Sequence, residues 1–459
     1  MTKKNDQEKM QKIVSLCKRR GFIFPSSEIY GGFNSAYGYG PYGTELKNNI
    51  KKLWWQKFVQ ERANMFGIDG PILLHPKLWQ ASGHTESFND AMVDCRECKK
   101  RFRADHLVED ATGQDLEGQL EEMSRILKEE KIKCPECGKS NWTDARNLNM
   151  MFKTAMNGVN EDVYLRPETA GAIFIEFKNI IDSMRVKLPF GIAQIGKAFR
   201  NEIVTGNFIF RLREFEQMEI EYFIHPEAKW EEIFDGWLES QEEFARELGI
   251  LNENMRRYEH AQEKLSHYSR KTVDIEYDFP FGFSELFGLA HRGDFDLRQH
   301  SKYSQEKLEY FDQKENKKFT PHVIEPTFGL DRSILACLDA AYTEEQLEDD
   351  VRIVMKFPAR LAPIKIAIFP LLKNKENLVK KAQEVYDNLK SKYVCEFDDH
   401  GNIGKRYRRQ DEIGTPYCVT VDFDTLEKDN AVTIRDRDTM QQERIKIEEL
   451  DNFFERKLK

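Results

Sequence analysis

The hydrophobic and polar positions of this chain fall into twos over one stretch: Phe199-Arg200-Asn201-Glu202, a short loop, then Phe210-Arg211-Leu212-Arg213-Glu214-Phe215-Glu216-Gln217-Met218-Glu219. On the second run Arg211, Arg213, Phe215, Gln217, Glu219 and Glu221 share one face of a strand. Leu212, Met218, Ile220, Tyr222 and Ile224 share the other, interrupted by Glu214 and Glu216. One apolar face backed by a face of Arg, Phe and Glu predicts a floor for something anionic, flat and cationic at once. The competing reading is a solvated strand with surface ion pairs.

Other patterns organise the rest. Leu46, Ile50, Leu53, Trp54, Phe58 and Met65 lie near helical spacing, predicting a long amphipathic helix from Thr44 to Phe66 and then a short strand, Gly67 to Leu74, punctuated by Pro71. Val163 to Phe223 is rich in alternation and predicts an antiparallel sheet. Pro226 to Arg270 reads as helical and charged, with Trp230, Ile233, Phe234, Trp237 and Leu238 on one side. Strand character returns at Thr272 to Tyr277 and His322 to Glu325. Lys356 to Pro363 reads as a linker. Beyond it come strand Ile364–Phe369, helix Lys375–Lys390, strand Val394–Phe397, a basic turn and strand Tyr417–Val421, a separate small α/β unit.

At 459 residues the chain has room for two or three domains, and 40% apolar with 32% charged residues describes a globular protein. No run of about 18 apolar residues exists, so no membrane span is expected. The first eight residues lack the apolar core of a signal peptide, and a reducing, cytoplasmic location follows by default. A net charge of −9 disfavours broad nucleic-acid affinity without excluding a local basic patch. Of the eight cysteines, Cys17, Cys337, Cys395 and Cys418 are scattered and read as small core residues. Cys95-x-x-Cys98 and Cys134-x-x-Cys137 match a four-thiolate zinc ribbon whose loop holds an acidic helix, Leu116 to Lys131. A redox pair or a metal-free ribbon is the alternative.

Three stretches stand in order: a long helix ending in Gly70-Pro71, the Arg200/Glu202 hairpin with Arg211 and Phe215, and Glu325-Pro326-Thr327-Phe328-Gly329-Leu330-Asp331-Arg332. They resemble motifs 1, 2 and 3 of the class II aminoacyl-tRNA synthetases. Within that class the chain is most similar to the homodimeric, bacterial-type glycyl-tRNA synthetases. The likeness extends to Ala81-Ser82-Gly83-His84, Leu165 to Ala170, Arg213 to Glu221, Glu285 to Arg292 and Gly404 to Pro416. One departure is visible, since the family commonly carries Ser where this chain has Thr327; the added methyl tightens the pocket.

The resemblance implies an α+β fold: a class II antiparallel sheet flanked by helices, a zinc-ribbon-like insertion and a C-terminal α/β anticodon-binding domain. The expected boundaries are 1–92 (motif 1), 93–142 (insertion), 143–357 (motifs 2 and 3, with a helical insertion near 226–270) and 363–459. It implies two reaction steps, attack of a carboxylate on the α-phosphate of ATP and transfer of the aminoacyl group to the 3′ end of tRNA. Arg200 then grips the α-phosphate and substrate carboxylate, its planar fork suiting the task better than lysine. Glu202 accepts from the adenine amino group, Phe215 stacks on the ring, Arg332 covers its other side or reaches the γ-phosphate, and Arg211 contacts the γ-phosphate. Glu285 is the expected Mg²⁺ ligand. Asn201, Phe210, Leu212, Arg213, Glu214, Leu286, Gly329, Leu330 and Asp331 complete the implied ATP site.

For glycine, the implied acidic cage is Glu168, Glu219 and Glu325 with Thr327 at its wall. Arg292 holds the carboxylate and Arg103 reaches in from the insertion. Glu216, Gln217, Met218, Pro326, Phe328 and Gly329 fill out the pocket. A substrate without a side chain must be chosen by gripping its ammonium and closing the space for a Cβ, because a hydrophobic pocket separates one methylene by only ~1–3 kcal/mol. In the last domain Lys405, Arg406, Arg408 and Arg409 surround Tyr407, a turn expected to clamp tRNA(Gly) phosphates while the ring stacks on a base. Trp54, Trp55 and Phe58 offer more aromatic surface than one buried stripe needs, in keeping with the family's homodimer. Two rivals remain: a non-catalytic nucleic-acid-binding accessory subunit, or a class IIa synthetase for another amino acid.

Overall fold

The alternation sets the central sheet. The structure, a computed structural model, describes residues 2–114, 116, 118–202, 206–262, 265, 269–348 and 350–458, with side chains from residue 8 onward. Residues 203–205 of the expected loop, 117 of the acidic helix and 263–264 and 266–268 of the expected helical stretch lie outside them. Seven strands lie side by side in the order Met255–Glu259, Lys271–Phe279, Gly282–Gly293, His322–Gly329, Glu214–Ile224, Phe190–Phe199 and Met65–Ile68. All neighbours are antiparallel except the last pair. Met218, Ile220 and Ile224 face a large core shared with helices Pro41–Trp55, Trp230–Glu247 and Leu330–Ala341. The opposite face is divided. At its far end Phe223 packs under helix Ala170–Met184, and at its near end the polar residues are left to a cavity.

Several expectations are corrected. The first long helix is Pro41–Trp55 with a wider-wound turn over Gln56–Gln60, and Met65 and Phe66 belong to a strand. Its hydrophobic spacing runs on only because both elements bury into one core. Gly67 permits the turnback, since a Cβ there would lie 2.3 Å from the Trp55 ring. Between Val163 and Phe223 the helix Ala170–Met184 interrupts the sheet; the run begins Ala-Gly-Ala-Ile-Phe, apolar on all sides, and such a run carries no period. The charged helix is only Trp230–Glu247, closed by Gly249 at φ +90°, and Met255–Glu259 is an exposed edge strand. The strand expected at His322 to Glu325 runs on to Gly329. Trp54 and Phe58 are fully buried in the chain's own core and Trp55 packs on it, so this aromatic surface is not an outward face.

The insertion is a three-stranded sheet, Arg101–Arg103, Asn89–Asp94 and Arg146–Asn149, with helices Ala104–Thr112 and Leu120–Glu129. The C-terminal unit has five strands ordered Cys395–Phe397, Ile366–Pro370, Tyr417–Val421, Ala431–Asp436 and Gln442–Lys446. The expected basic turn is a helix, Ile403–Ile413. Asn402 caps it by accepting from Lys405 N at 2.9 Å, and Gly414 at φ +87° ends it. Arg406 is correspondingly turned inward, 1% exposed, and donates to the carbonyls of Pro370, Asp399 and Gly401. The linker is not slack, because Phe357, Leu361 and Ala362 are buried in the main core. No described helix is long and apolar enough to cross a membrane.

Candidate active site

Strand register brings the chemistry together. Gln194, Glu219, Thr327, Gly288 and Asp274 form one row across five strands. Side chains two residues apart on one strand share its face, so Gln217 and Glu219 follow one another toward the sheet centre, as do Glu325, Thr327 and Gly329 on the neighbouring strand. They floor a cavity of about 460 Å³. Gly288 and Gly329 leave that floor without side chains at two points.

Most expected residues line this cavity. From the motif 2 region come Arg200, Glu202, Phe210, Arg211, Leu212 and Phe215; from the strands, Glu216, Gln217, Glu219, Glu285, Arg292, Glu325, Thr327 and Gly329. Glu168, Asp331, Arg332 and, from the insertion, Arg103 complete the wall. The remainder lie elsewhere for reasons of register. Met218, Leu286, Phe328 and Leu330 point into the core, and Pro326 is buried between Glu325 and Thr327. Glu214 is exposed and paired with Lys197. Arg213 donates to the carbonyls of Glu202 and Asn34, both at 2.9 Å, and so braces the hairpin. Asn201 is exposed, its backbone N–H bonded to Met150 O at 2.8 Å.

The cations are aimed. Arg200 lies over Phe88 and Phe215, 5.3 and 5.4 Å from the ring centres, its Nε held by Pro167 O at 3.1 Å. Arg332 stands 4.5 Å over Phe210 and pairs with Glu285 at 2.7 Å. That guanidinium, and then Arg200, hold the carboxyl of half-exposed Glu285 below its ordinary value against the partial desolvation of the cavity. A carboxylate kept ionised beside a phosphate-sized space is a suitable oxygen donor for a hard cation.

The acids are graded. Glu219 is 3% exposed and sits on the N-terminus of helix Ala170–Met184. There it accepts from Thr169 N at 3.0 Å, Ala170 N at 2.8 Å, the Thr169 hydroxyl and, on its other oxygen, Gln217 Nε2 at 2.7 Å. Those donors favour the charged form, yet burial and then Glu325 and Glu168 outweigh them and push it up to about 7. Glu168 goes the other way. Burial opposes ionisation, but His84 at 3.3 Å, then Arg292 and Arg200, bring it down to about 2. Glu325 is raised, chiefly by burial. Arg292 does not offer a free fork to a substrate carboxylate: it binds both oxygens of Asp296 at 2.8 Å and Glu325 at 2.8 Å. In this arrangement it donates to Glu325 in the wall.

Sequence reasoning assigned no role to His84, Asp90 or Asp274. Asp274 lines the cavity, accepts from or donates to His260 at 2.8 Å, and is pushed up to about 6 by burial and by Glu285. Its signal was present, for Thr272, Asp274 and Glu276 alternate with Val273, Ile275 and Tyr277 as the motif 2 strand does. His84 and Asp90 carry no periodic signal.

In the insertion the four sulfurs of Cys95, Cys98, Cys134 and Cys137 lie within 4.8 Å of one another, with Cys95–Cys137 at 3.6 Å and Cys98–Cys134 at 3.7 Å. A tetrahedral ion with bonds of ~2.3 Å needs sulfurs roughly 3.8 Å apart, so the donor set fits a metal. Backbone N–H groups of the first knuckle bring the Cys95 thiol down to about 7.

An antiparallel sheet that presents arginines and acids to one cavity, followed by a separate α/β unit, defines a class of protein. The family description "tRNA synthetase class II core domain (G, H, P, S and T)" matches residues 152–341, and "Anticodon binding domain" matches 365–457. The chain is 54% identical over 468 aligned residues to Glycine–tRNA ligase of Clostridium acetobutylicum, covering 99% of this chain and 100% of that one. It is 53% identical to that of Acetivibrio thermocellus (98% of each chain) and 51% to that of Bacillus cereus (98% of this chain, 99% of the relative). The chain belongs to the glycine–tRNA ligase family, ATP-dependent ligases of class II.

Proposed function

We infer that the protein activates glycine with ATP and transfers the glycyl group to the 3′ end of tRNA(Gly). The observation that carries this reading is the convergence of Glu168, Glu219 and Glu325 with Arg200, Arg211 and Arg332 on one cavity, Arg200 lying near enough to Glu168 and Glu219 to favour their ionised forms. Acids for an ammonium beside cations for phosphates suit an amino acid whose carboxylate must meet an α-phosphate. In this reading Arg200 neutralises charge as it builds at phosphorus, Phe215 and Arg332 sandwich the adenine, and Glu202 accepts from its amino group. Glu285 would hold Mg²⁺, with Asp274 on the neighbouring strand as a second carboxyl, and the ion would neutralise phosphate charge there. Thr327 closes the space beside Glu219 where a substrate Cβ would lie.

The same reading places zinc on the four thiolates as a brace, since a four-sulfur site leaves no open position for catalysis. In the C-terminal helix, exposed Lys405 and half-exposed Arg408 and Arg409 are the cations that can meet tRNA phosphates, Arg406 being buried. A cytoplasmic homodimer fits the chain as well. Ile29, Tyr30 and Phe33 are 88, 88 and 76% exposed within one short loop, an apolar patch of the kind that marks an interface. The accessory-subunit alternative loses its basis, because the motif arginines that a non-catalytic descendant would shed all line the cavity. Charging of tRNA with labelled glycine tests the proposal: glycyl-tRNA forms with wild-type protein, ATP and Mg²⁺, and protein that binds tRNA but charges it with no amino acid would return the accessory reading.

A further inference from the structure

The metal-fitting cysteines and the cavity are two ends of one hairpin. Strands Asn89–Asp94 and Arg101–Arg103 pair with Met92 opposite Arg103, Val93 opposite Phe102 and Asp94 opposite Arg101. The turn joining them is the first cysteine knuckle, where Cys95 N donates to Lys100 O and Lys99 N to Cys95 O, both at 2.9 Å. The opposite end of the hairpin enters the cavity, which Asp90 and Arg103 both line, facing Glu202. Asp90 is 4% exposed and holds Arg103 Nη1 at 3.1 Å, and Asp105 holds Nε at 3.1 Å and Nη2 at 2.5 Å. The two carboxylates fix the guanidinium on two edges, so its direction follows the hairpin.

What fixes the hairpin is less obvious. Arg101–Arg103 is a three-residue strand, too short to secure its register by its own ladder. The core beneath it is small, built around Val93, Ala104, Val108, Met123, Leu127 and Trp142. In so small a unit, metal binding supplies folding energy directly. The segment that follows the second knuckle braces the first through Arg96 N, which donates to Asn141 O at 2.8 Å, and a bridge between Cys95 and Trp142. At the root of the insertion, Phe88 lies under Arg200 and Met150 O accepts from Asn201 N.

We propose that the four-cysteine site is a positioning element for the active site: a divalent metal held by Cys95, Cys98, Cys134 and Cys137 fixes the register of the hairpin that delivers the Asp90–Arg103 pair to the substrate. Asp90 and the cysteines act through Arg103, which touches the bound ligand. The proposal rests on the ligase reading above.

Cys137 provides the test, because it is exposed, lies on the second knuckle and is not among the residues that hold Arg103. Metal content, the thermal unfolding of the main domain and the KM for glycine in glycine-dependent pyrophosphate exchange are measured for wild type, Cys137→Ser, Arg103→Ala and the double variant. Cys137→Ser is expected to lose the metal, keep the main transition and raise KM about tenfold, as loss of one charge-assisted hydrogen bond does. Arg103→Ala raises KM by the same factor, and the double variant is no worse than either. Zinc added back to chelator-treated wild type restores KM, and added back to treated Arg103→Ala does not; this arm needs no cysteine variant to fold. Factors that multiply in the double variant, or a metal-free wild type with unchanged KM, would overturn the proposal while leaving the ligase reading intact. A wild type without exchange would overturn both.

Discussion

Two charge runs in this chain look alike on paper and behave differently in the fold. Residues 214–221 lie on a strand, so every second side chain keeps one direction, and Phe215, Gln217 and Glu219 all face the cavity. Residues 405–409 lie on a helix, where each residue turns by 100°, so Lys405, Arg408 and Arg409 keep to one side while Arg406 turns inward. Lys405 stands in solvent, Arg408 reaches Asp350 at 2.8 Å, Arg409 pairs with Asp398 at 2.5 Å, and Arg406 is buried among backbone carbonyls. A run of charge therefore says little about a binding surface until its period is known. The strand concentrates charge on a ligand, and the helix divides it between solvent and scaffold.

The comparison sharpens first at Arg200. Arg200→Ala is expected to reduce glycine-dependent exchange by about 10²–10³-fold or more, as loss of a preorganised donor to transition-state charge does, with little change in melting temperature. An exchange rate near wild type would remove the cavity's central cation from the chemistry. Next in size is the contrast inside the helix. Arg406→Ala leaves buried carbonyls without donors and should cost about 3 kcal/mol or more of stability, measured by denaturant unfolding. Lys405→Ala should stay within about 0.5 kcal/mol and instead weaken tRNA charging with a salt dependence shallower by about one unit. If Arg406→Ala folded normally and lost only tRNA affinity, the division between solvent and scaffold would be wrong.

A smaller effect comes from pH. With Glu219 pushed up to about 7 in the ligand-free protein, its carboxyl mostly holds a proton at pH 6 and mostly lacks one at pH 8. Only the ionised form attracts an ammonium group, so the KM for glycine should fall about tenfold across that range, and Glu219→Gln should flatten the profile. The sign for stability is opposite. A folded-state value above the unfolded one contributes stability below about pH 4.3, and that contribution is lost as pH rises through 7. The cage thus gains substrate affinity where it loses stability. The smallest expected effect belongs to Thr327→Ser. Removing one methyl from the wall should relax discrimination against alanine by no more than ~1–3 kcal/mol, read as the ratio of kcat/KM for glycine and alanine.

Much of the site was legible because strands translate period directly into facing, whereas the cysteine spacing suggested a ribbon and only the fold brings the four sulfurs within 4.8 Å of one another. The alternation from Thr272 to Tyr277 held Asp274 in plain view, although only its register opposite Gly288 shows that it meets the same cavity. What could not be read was anything decided by the partner of an element. Ala170 to Ile175 is apolar on every side and carries no period, so helix and strand were equivalent there. Trp54 and Phe58 gave no sign that the chain itself would cover them, because the residues that do so, Trp237, Phe244 and Phe328, lie far along the sequence. Arg292 showed its charge in the sequence, while its engagement with Asp296 and Glu325 needed the turn between strand and helix that brings the three together.

Amino-acid-dependent exchange of pyrophosphate into ATP, run with each proteinogenic amino acid in turn, tests most directly the claim that the acids of this cavity select glycine. Exchange with glycine alone, lost in Glu219→Gln and Glu168→Gln, is the predicted result. Exchange with a larger amino acid, or glycine exchange unaffected by both substitutions, would contradict it.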